Sequence, residues 1–333
     1  MSTRRAVILG LIGVVAFVVS FVFYRSNTHE LPPLRRMARQ FRSAQSPMES
    51  ARSIIIKRAS LALNGSQSAD DWRNQYYESR DLFKFVRQAA PAALRGDGAA
   101  ALYIFKALQI CLLETALYGR SPNPSQAFSA WQATQVYATP ADAAIQREHF
   151  HACTGFFKGN AFASLPPRMG GYGSPKFWLD LAYKYNDPVA AVYHVIAAMP
   201  VLGNASGSAD ANVVQTAQAD LNRAVSSGNA EAIFRAGLFL SNDHGETPTQ
   251  GAALEIAACN LGYNCSASNG SLFGNCAANG TCQAGLSFLD QLEKALGPAA
   301  YARVYTQAQT FENALAQGDT SIILQFTQLK ATK

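Results

Sequence analysis

Four short turns, each set between small residues, constrain this chain more than any other feature. The pairs Gly96-Asp97, Asn186-Asp187, Gly228-Asn229 and Gly262-Tyr263 each close one helix-like stretch; three of them open another, in RGDGAAALYIFKAL, YNDPVAAVYHVIAA and SGNAEAIFRAGLFL. Four residues before the first member of each pair stand Ala92, Ala182, Ala224 and Ala258, and four after it stand Ala100, Ala190, Ala232 and Ser266. Small residues on both sides of a turn let two helix backbones approach, while larger neighbours such as Leu102, Val192 and Phe234 fill the core. From Asp70 onward apolar residues recur at three- and four-residue intervals between Gly and Asn breaks, without a convincing alternating run. An all-α chain is expected.

The turns lie 90, 42 and 34 residues apart, and the last spacing is a helix-pair repeat period. With its glycine turns and small contact residues, the stretch from about 85 to 270 resembles the Sel-one-like branch of the tetratricopeptide repeats. That resemblance implies a solenoid-like array of antiparallel helix pairs. By analogy with such arrays, a concave surface would take a protein or peptide partner. The tail AALEIAACNLGYNCS is similar to the cysteine-bearing end of uncharacterised bacterial repeat proteins, a likeness that implies no activity.

The N-terminus reads differently from the body. Residues 1–60 carry ten Lys or Arg against two acids, whereas 61–333 carry eighteen against twenty, so the formal +6 charge belongs to the N-terminal segment. No basic face with interleaved aromatics occurs in the body, which argues against nucleic-acid binding. Ala6 to Tyr24 is an uninterrupted apolar run between Arg5 and Arg25, long enough to span a bilayer and lacking a small-x-small cleavage site behind it. It is read as an uncleaved membrane anchor. Arg35, Arg36, Arg39 and Arg42 follow at helical spacing, either as a helix on lipid headgroups or as a solvated spacer.

Orientation is contested by the sequence. More arginines follow the span than precede it, which by the positive-inside rule keeps the body cytoplasmic. The cysteines point the other way. Cys259 and Cys265, then Cys276 and Cys282, form two equally spaced pairs in Gly- and Asn-rich text that burial alone holds poorly. Zinc pairs are usually separated by two to four residues, and here five intervene. Disulfides are therefore favoured over zinc, with Cys259–Cys265 and Cys276–Cys282 the preferred pairing by loop length; Cys111 and Cys153 are a further candidate pair or simply buried. A periplasmic or other extracytoplasmic body follows.

Chemistry is sparse. QREHFHAC gathers Glu148, His149, His151 and Cys153, too few convergent ligands for a metal site, and SNDHGETPTQG with Asp243, His244 and Glu246 reads as a connecting loop. Glu114 and Glu148 are the acids set in strongly apolar helices, and each reads first as a partly exposed helix position. Asn64, Asn204, Asn264, Asn269 and Asn279 sit in Asn-x-Ser/Thr sites that read first as turns. No nucleophile elbow, phosphate-binding loop, dinucleotide fingerprint or metalloprotease helix is present, and no catalytic residue, metal ligand or cofactor is assigned.

The resulting organisation is a tail (1–5), an anchor (6–24), a basic linker (25–69), a helical repeat domain (70–258) and a disulfide-clipped cap with terminal helices (259–333). The leading functional expectation is a membrane-anchored, non-catalytic scaffold of the cell envelope that contacts the lipid bilayer and a protein or peptide. The alternatives are an envelope enzyme, such as a cell-wall hydrolase using carboxylates from different helices, and a cytoplasmic adaptor at the membrane surface.

Overall fold

The computed structural model describes residues 69–118, 128–130, 147–148, 150–157, 174–202, 211–241, 248–266 and 286–329, without the side chains of 112–118, 199–202, 211 and 248. The expected span Ala6–Tyr24, the arginines Arg35, Arg36, Arg39 and Arg42, the candidate cysteines Cys276 and Cys282, and the loop residues Asp243, His244 and Glu246 lie outside the described residues. Among the described residues no helix is long and apolar enough to cross a membrane. The described chain is all-α, with no strand.

In chain order the helices are α1 (Ala69–Glu78), α2 (Leu82–Leu94), α3 (Gly98–Tyr118), α4 (Pro175–Lys184), α5 (Pro188–Leu202), α6 (Ala211–Ser226), α7 (Ala230–Phe239), α8 (Pro248–Asn260), α9 (Phe288–Leu296), α10 (Pro298–Gln317) and α11 (Thr320–Phe326). Four of them begin on proline, whose fixed φ suits a first helical position where no N–H is needed. Each of α2 to α7 packs on the helix that follows it, α3 on α4 across a long connection. Helix α5 also touches α7, and α10 returns to α8.

The turns explain why small residues flank them. Asp97, Asp187 and Tyr263 donate their backbone N–H to the carbonyls of Ala92, Ala182 and Ala258, at 3.2, 3.1 and 2.9 Å. This helix closure requires a left-handed residue, supplied by Gly96 (φ 113°), Asn186 (φ 60°) and Gly262 (φ 104°). The closure recurs at Gly318 (φ 72°), where the Asp319 N–H reaches Ala314 O at 2.8 Å. The next residue then starts the following helix: Asp97 accepts from Ala100 N–H, Asp187 from Val189 and Ala190, and Asn229 from Ala232. One turn thus ends a helix and caps its successor within two residues.

Ala100, Ala182, Ala190, Ala224, Ala232 and Ala258 are fully buried where these helices meet, and Ala92 is half-buried. Ser266 departs from the expected packing role. Residues 263–266 do not continue into a helix; Cys259 is bonded to Cys265, and Asn264 Oδ1 accepts the Ser266 N–H at 3.1 Å, which leaves Ser266 exposed. The fourth turn therefore ends in a disulfide-closed loop instead of a helix pair. A second disulfide joins Cys111 of α3 to Cys153, with Cα atoms 5.2 Å apart. Among the described residues no cysteine is free.

The α7–α8 crossing is the tightest. A Cβ on Gly237 would lie 2.8 Å from Gly251 O and 2.9 Å from Glu255 N, and one on Gly251 would collide with Gly237 O and the Ser241 backbone. At the other end the chain folds back over α6 and α8. Gln218 donates to Thr327 O (2.8 Å) and accepts from Leu329 N–H (3.0 Å), while Gln250 donates to Gln325 O and Gln328 O. Ile323 and Phe311 are buried beneath this strap.

Because the neighbour at Gly251 is rigid backbone, Gly251→Ala is expected to lower stability by about 1–3 kcal/mol, as are Ala190→Leu and Ala232→Leu by overpacking. Thermal melts that match the parent protein for all three variants would contradict this account of the crossings.

Candidate functional site

Seven residues after Gly96, Asn186 and Gly228 stand Tyr103, Tyr193 and Arg235. On a helix this position lies one turn beyond the buried alanine of the crossing, on the same stripe, so its side chain emerges beside the inter-helix contact. The packing of α3, α5 and α7 therefore gathers the three side chains around one polar centre. At that centre Lys106 of α3 and Glu231 of α7 form an ion pair with both side chains at most 5% exposed.

Each partner of the pair is further satisfied. Tyr103 Oη donates to Glu231 Oε2 at 2.8 Å. The Lys106 ammonium lies 4.6 Å from the ring centre of Tyr103 and 5.5 Å from those of Tyr76 and Tyr77, an aromatic enclosure that offers ring faces to the cation. Tyr76 in turn packs edge-on against Tyr77 and Phe85. Burial works against the charged form of Lys106, yet Glu231 and the surrounding tyrosines hold its pKa well above the lysine range. Burial likewise opposes the Glu231 carboxylate, but Lys106 and Arg235 beside it keep its pKa below the ordinary value. Desolvation raises the Tyr76 and Tyr103 hydroxyls, so both stay protonated.

Arg235 completes the centre. Its Nε is 4.0 Å from Glu231 Oε1, and its guanidinium carbon sits 5.8 Å from the ring centre of Tyr193, which packs edge-on against Phe105. The Nε is buried and has no hydrogen-bond partner among the described residues. Asp187 faces the same region from the start of α5. Burial pushes its carboxyl up to about 6 against the two backbone N–H bonds it accepts, with Glu231 adding to the rise.

A second polar group lies on α4, α5 and α6. Tyr183 stacks on His194 with ring centres 4.1 Å apart, and its hydroxyl donates to both oxygens of Asp220 at 3.0–3.1 Å. Arg223 donates to Asp220 Oδ1 and to Asn186 Oδ1, so the left-handed turn residue is tied to the next helix pair. His194 Nδ1 stands 3.5 Å from Asp220 Oδ2, at the margin of hydrogen bonding.

The residues singled out from sequence are distributed unevenly around these centres. Ala190 and Ala232 are the crossing residues on which the register of Tyr193 and Arg235 depends. Cys153, read beside two histidines, is consumed by the disulfide to Cys111, and His151 is exposed and stacks on Phe128 at 4.9 Å. Glu148 is exposed, in keeping with its reading as a partly exposed helix position, and the Glu114 side chain lies outside the described set. The deeply buried glutamates are Glu231 and Glu255, neither of which the sequence reading selected. Glu255 carries a visible signal, a lone acid in the apolar run AALEIAAC; Glu231 carries none, because a first-turn acid is ordinary on an exposed helix. Among the described residues no group of three His, Cys, Asp or Glu side chains is placed to hold a metal ion. Compared with protein-family models, curated proteins and solved structures, the chain matches none.

Removing one member of a buried pair strands the other's charge. Lys106→Met is therefore expected to cost about 3–5 kcal/mol in denaturant unfolding, and adding Glu231→Gln, which keeps an acceptor for Tyr103, should recover most of it. A double variant no more stable than the single one would contradict the pair's isolation from water.

Buried carboxyls give a pH signature. Burial lifts Glu255 and Glu312 to about 7, against hydrogen bonds from Ser241 and Asn260, and Asp187 to about 6. Since these folded values exceed the unfolded ones near 4, their contribution to stability is complete below about pH 4 and is lost as pH rises through 6 to 7. The melting temperature should fall from pH 5 to pH 8, and Glu255→Gln should flatten that fall by up to about 3 kcal/mol. The Glu231 pKa is depressed, so its contribution is lost only under more acidic conditions, outside this window. A Glu255→Gln variant with the same pH slope as the parent protein would contradict this assignment.

Proposed function

We propose that this protein is a membrane-anchored, non-catalytic scaffold of the cell envelope that binds a protein or peptide partner through a solenoid-like array of helix pairs. The carrying observation is that Tyr103, Tyr193 and Arg235 occupy one register position on three second helices and surround one polar centre. Tyr103 is buried, while Tyr193 and Arg235 are partly exposed, and an aromatic ring beside an arginine is what protein recognition favours, because such side chains bring large contact area at low entropic cost. Tyr77, 42% exposed, lies at the solvent side of the group.

Two further observations support the reading over its alternatives. The most deeply placed carboxylates near the centre are engaged internally, Glu231 by Lys106 and Tyr103 and Asp187 by two backbone N–H groups, which favours binding over acid–base hydrolysis. The disulfides Cys111–Cys153 and Cys259–Cys265 favour an oxidising compartment over a cytoplasmic adaptor. The apolar run Ala6–Tyr24 supports anchoring on the membrane.

Crosslinking in the native cell from a photoreactive residue at position 77, with mass-spectrometric identification of neighbours, is expected to recover a defined partner. A C-terminal reporter fusion is expected to be active only in its extracytoplasmic form. Activity confined to a cytoplasmic reporter would reverse the orientation, and crosslinks to lipid alone would remove the scaffold reading.

A further inference from the structure

Resting on that binding reading, we infer that Arg235 is the docking point for a carboxylate group carried by the partner. The argument begins with an imbalance at the buried centre. Glu231 has one negative charge and two cationic neighbours, and Lys106 together with Tyr103 already occupies both of its oxygens. Arg235 is left with a 4.0 Å separation from Glu231 Oε1, too long for a hydrogen bond. Its side chain is only 15% exposed, and its buried Nε has no acceptor among the described residues.

An ionised donor held out of water without an acceptor is costly, and the Tyr193 ring beneath the guanidinium offsets only part of that cost. Exposed arginines such as Arg95 and Arg303 are open to water, whereas the Nε of Arg235 is not. Arg223, more exposed, makes two hydrogen bonds, to Asp220 and Asn186. The guanidinium, unpaired inside the protein, is left to an acceptor that meets the 15% of the side chain open to solvent.

Charge and shape select the class of acceptor. Lys106 pairs with Glu231, and Asp187 is held by two backbone N–H groups of its own, so Arg235 presents one positive charge without a hydrogen-bonded counter-ion, matched by a monoanion and insufficient for a phosphate dianion. The planar guanidinium fork fits the two oxygens of a carboxylate. The other groups that face Arg235 are the phenols of Tyr77, Tyr193 and Tyr263, with Tyr263 stacked on Phe234 at 4.3 Å. These present ring surface, so the carboxylate should be borne by a segment that also offers an apolar or aromatic group.

The test follows the Nε–Hε resonance of Arg235 in the full chain in detergent, identified as the cross-peak missing from Arg235→Lys. The probe is 3-phenylpropionate, with 3-phenylpropionamide and inorganic phosphate as controls at matched ionic strength. The acid is expected to shift the resonance saturably and the amide to leave it in place. By ligand-observed measurement, Arg235→Lys, which keeps the charge but loses the fork, should bind the acid roughly tenfold more weakly at an unchanged melting temperature. Equal shifts from acid and amide, tighter binding of phosphate, or full affinity in Arg235→Lys would each overturn the inference. Partner crosslinking separates this outcome from the broader reading. A protein neighbour captured equally well by Arg235→Lys would overturn the carboxylate contact and leave the scaffold intact. Specific binding of the acid at Arg235 without any protein neighbour would support the site and overturn the scaffold.

Discussion

Close approach of helix backbones at alanine and glycine is the constraint on which the rest of this structure depends. At the Gly96, Asn186 and Gly228 turns a left-handed residue lets the chain reverse while the preceding Ala carbonyl is satisfied, and the next Asp or Asn caps the following helix. With no bulk at the crossing, the next stripe position along each second helix is drawn inward, to full burial at Tyr103 and partial burial at Tyr193 and Arg235. Tyr103, Tyr193 and Arg235 stand at that position, so the packing that stabilises the body also assembles the candidate site. The fold and the candidate site share one cause here, and a change at Ala190 or Ala232 would be felt in both.

The Lys106–Glu231 pair adds specificity of a different kind. It joins residues 125 positions apart, one from each end of the run of three helix pairs, and its stability relative to an apolar core depends on the Tyr103 hydroxyl and the three tyrosine rings that replace water. Buried pairs add little net stability by comparison with well-packed apolar residues, but they penalise any register that leaves one member alone. Such a pair therefore acts against slipped packing of α3 on its neighbours. It also leaves Arg235 as a cation in excess, linking the architecture to the chemistry of the site.

Much of the local structure was legible in the sequence because it is enforced by neighbours in the chain. Gly96-Asp97 and Asn186-Asp187 announce a left-handed closure followed by a cap, and the prolines at 175, 188, 248 and 298 announce helix starts. The fourth turn misled, since Gly262-Tyr263 has the same local closure but leads into a loop clipped by Cys259–Cys265. The closure at Gly318 went unread because Ile322 stands where the other copies have a small residue. Glu148, set in apolar text, is exposed, whereas Glu231, in an ordinary first-turn position, is buried. Burial of an acid depends on what packs over the helix, and periodicity along one helix does not carry that information.

By itself the sequence determined the helical class, the places where the chain reverses and the small residues at which helices cross, because hydrogen bonds within a few residues and the steric demands of glycine, alanine and proline decide these features. Tertiary structure alone decided that Lys106 meets Glu231, that Tyr76, Tyr77 and Tyr103 enclose the cation, that Cys111 finds Cys153, and that Arg235 is held nearly buried with an unmade hydrogen bond. Apart from Tyr103 beside Lys106 and the sequence-local burial of Arg235, these contacts join residues from 29 to 125 positions apart. Their formation depends on the relative rotation of packed helices, a quantity set by the summed fit of many side chains and written in no single stretch of the chain.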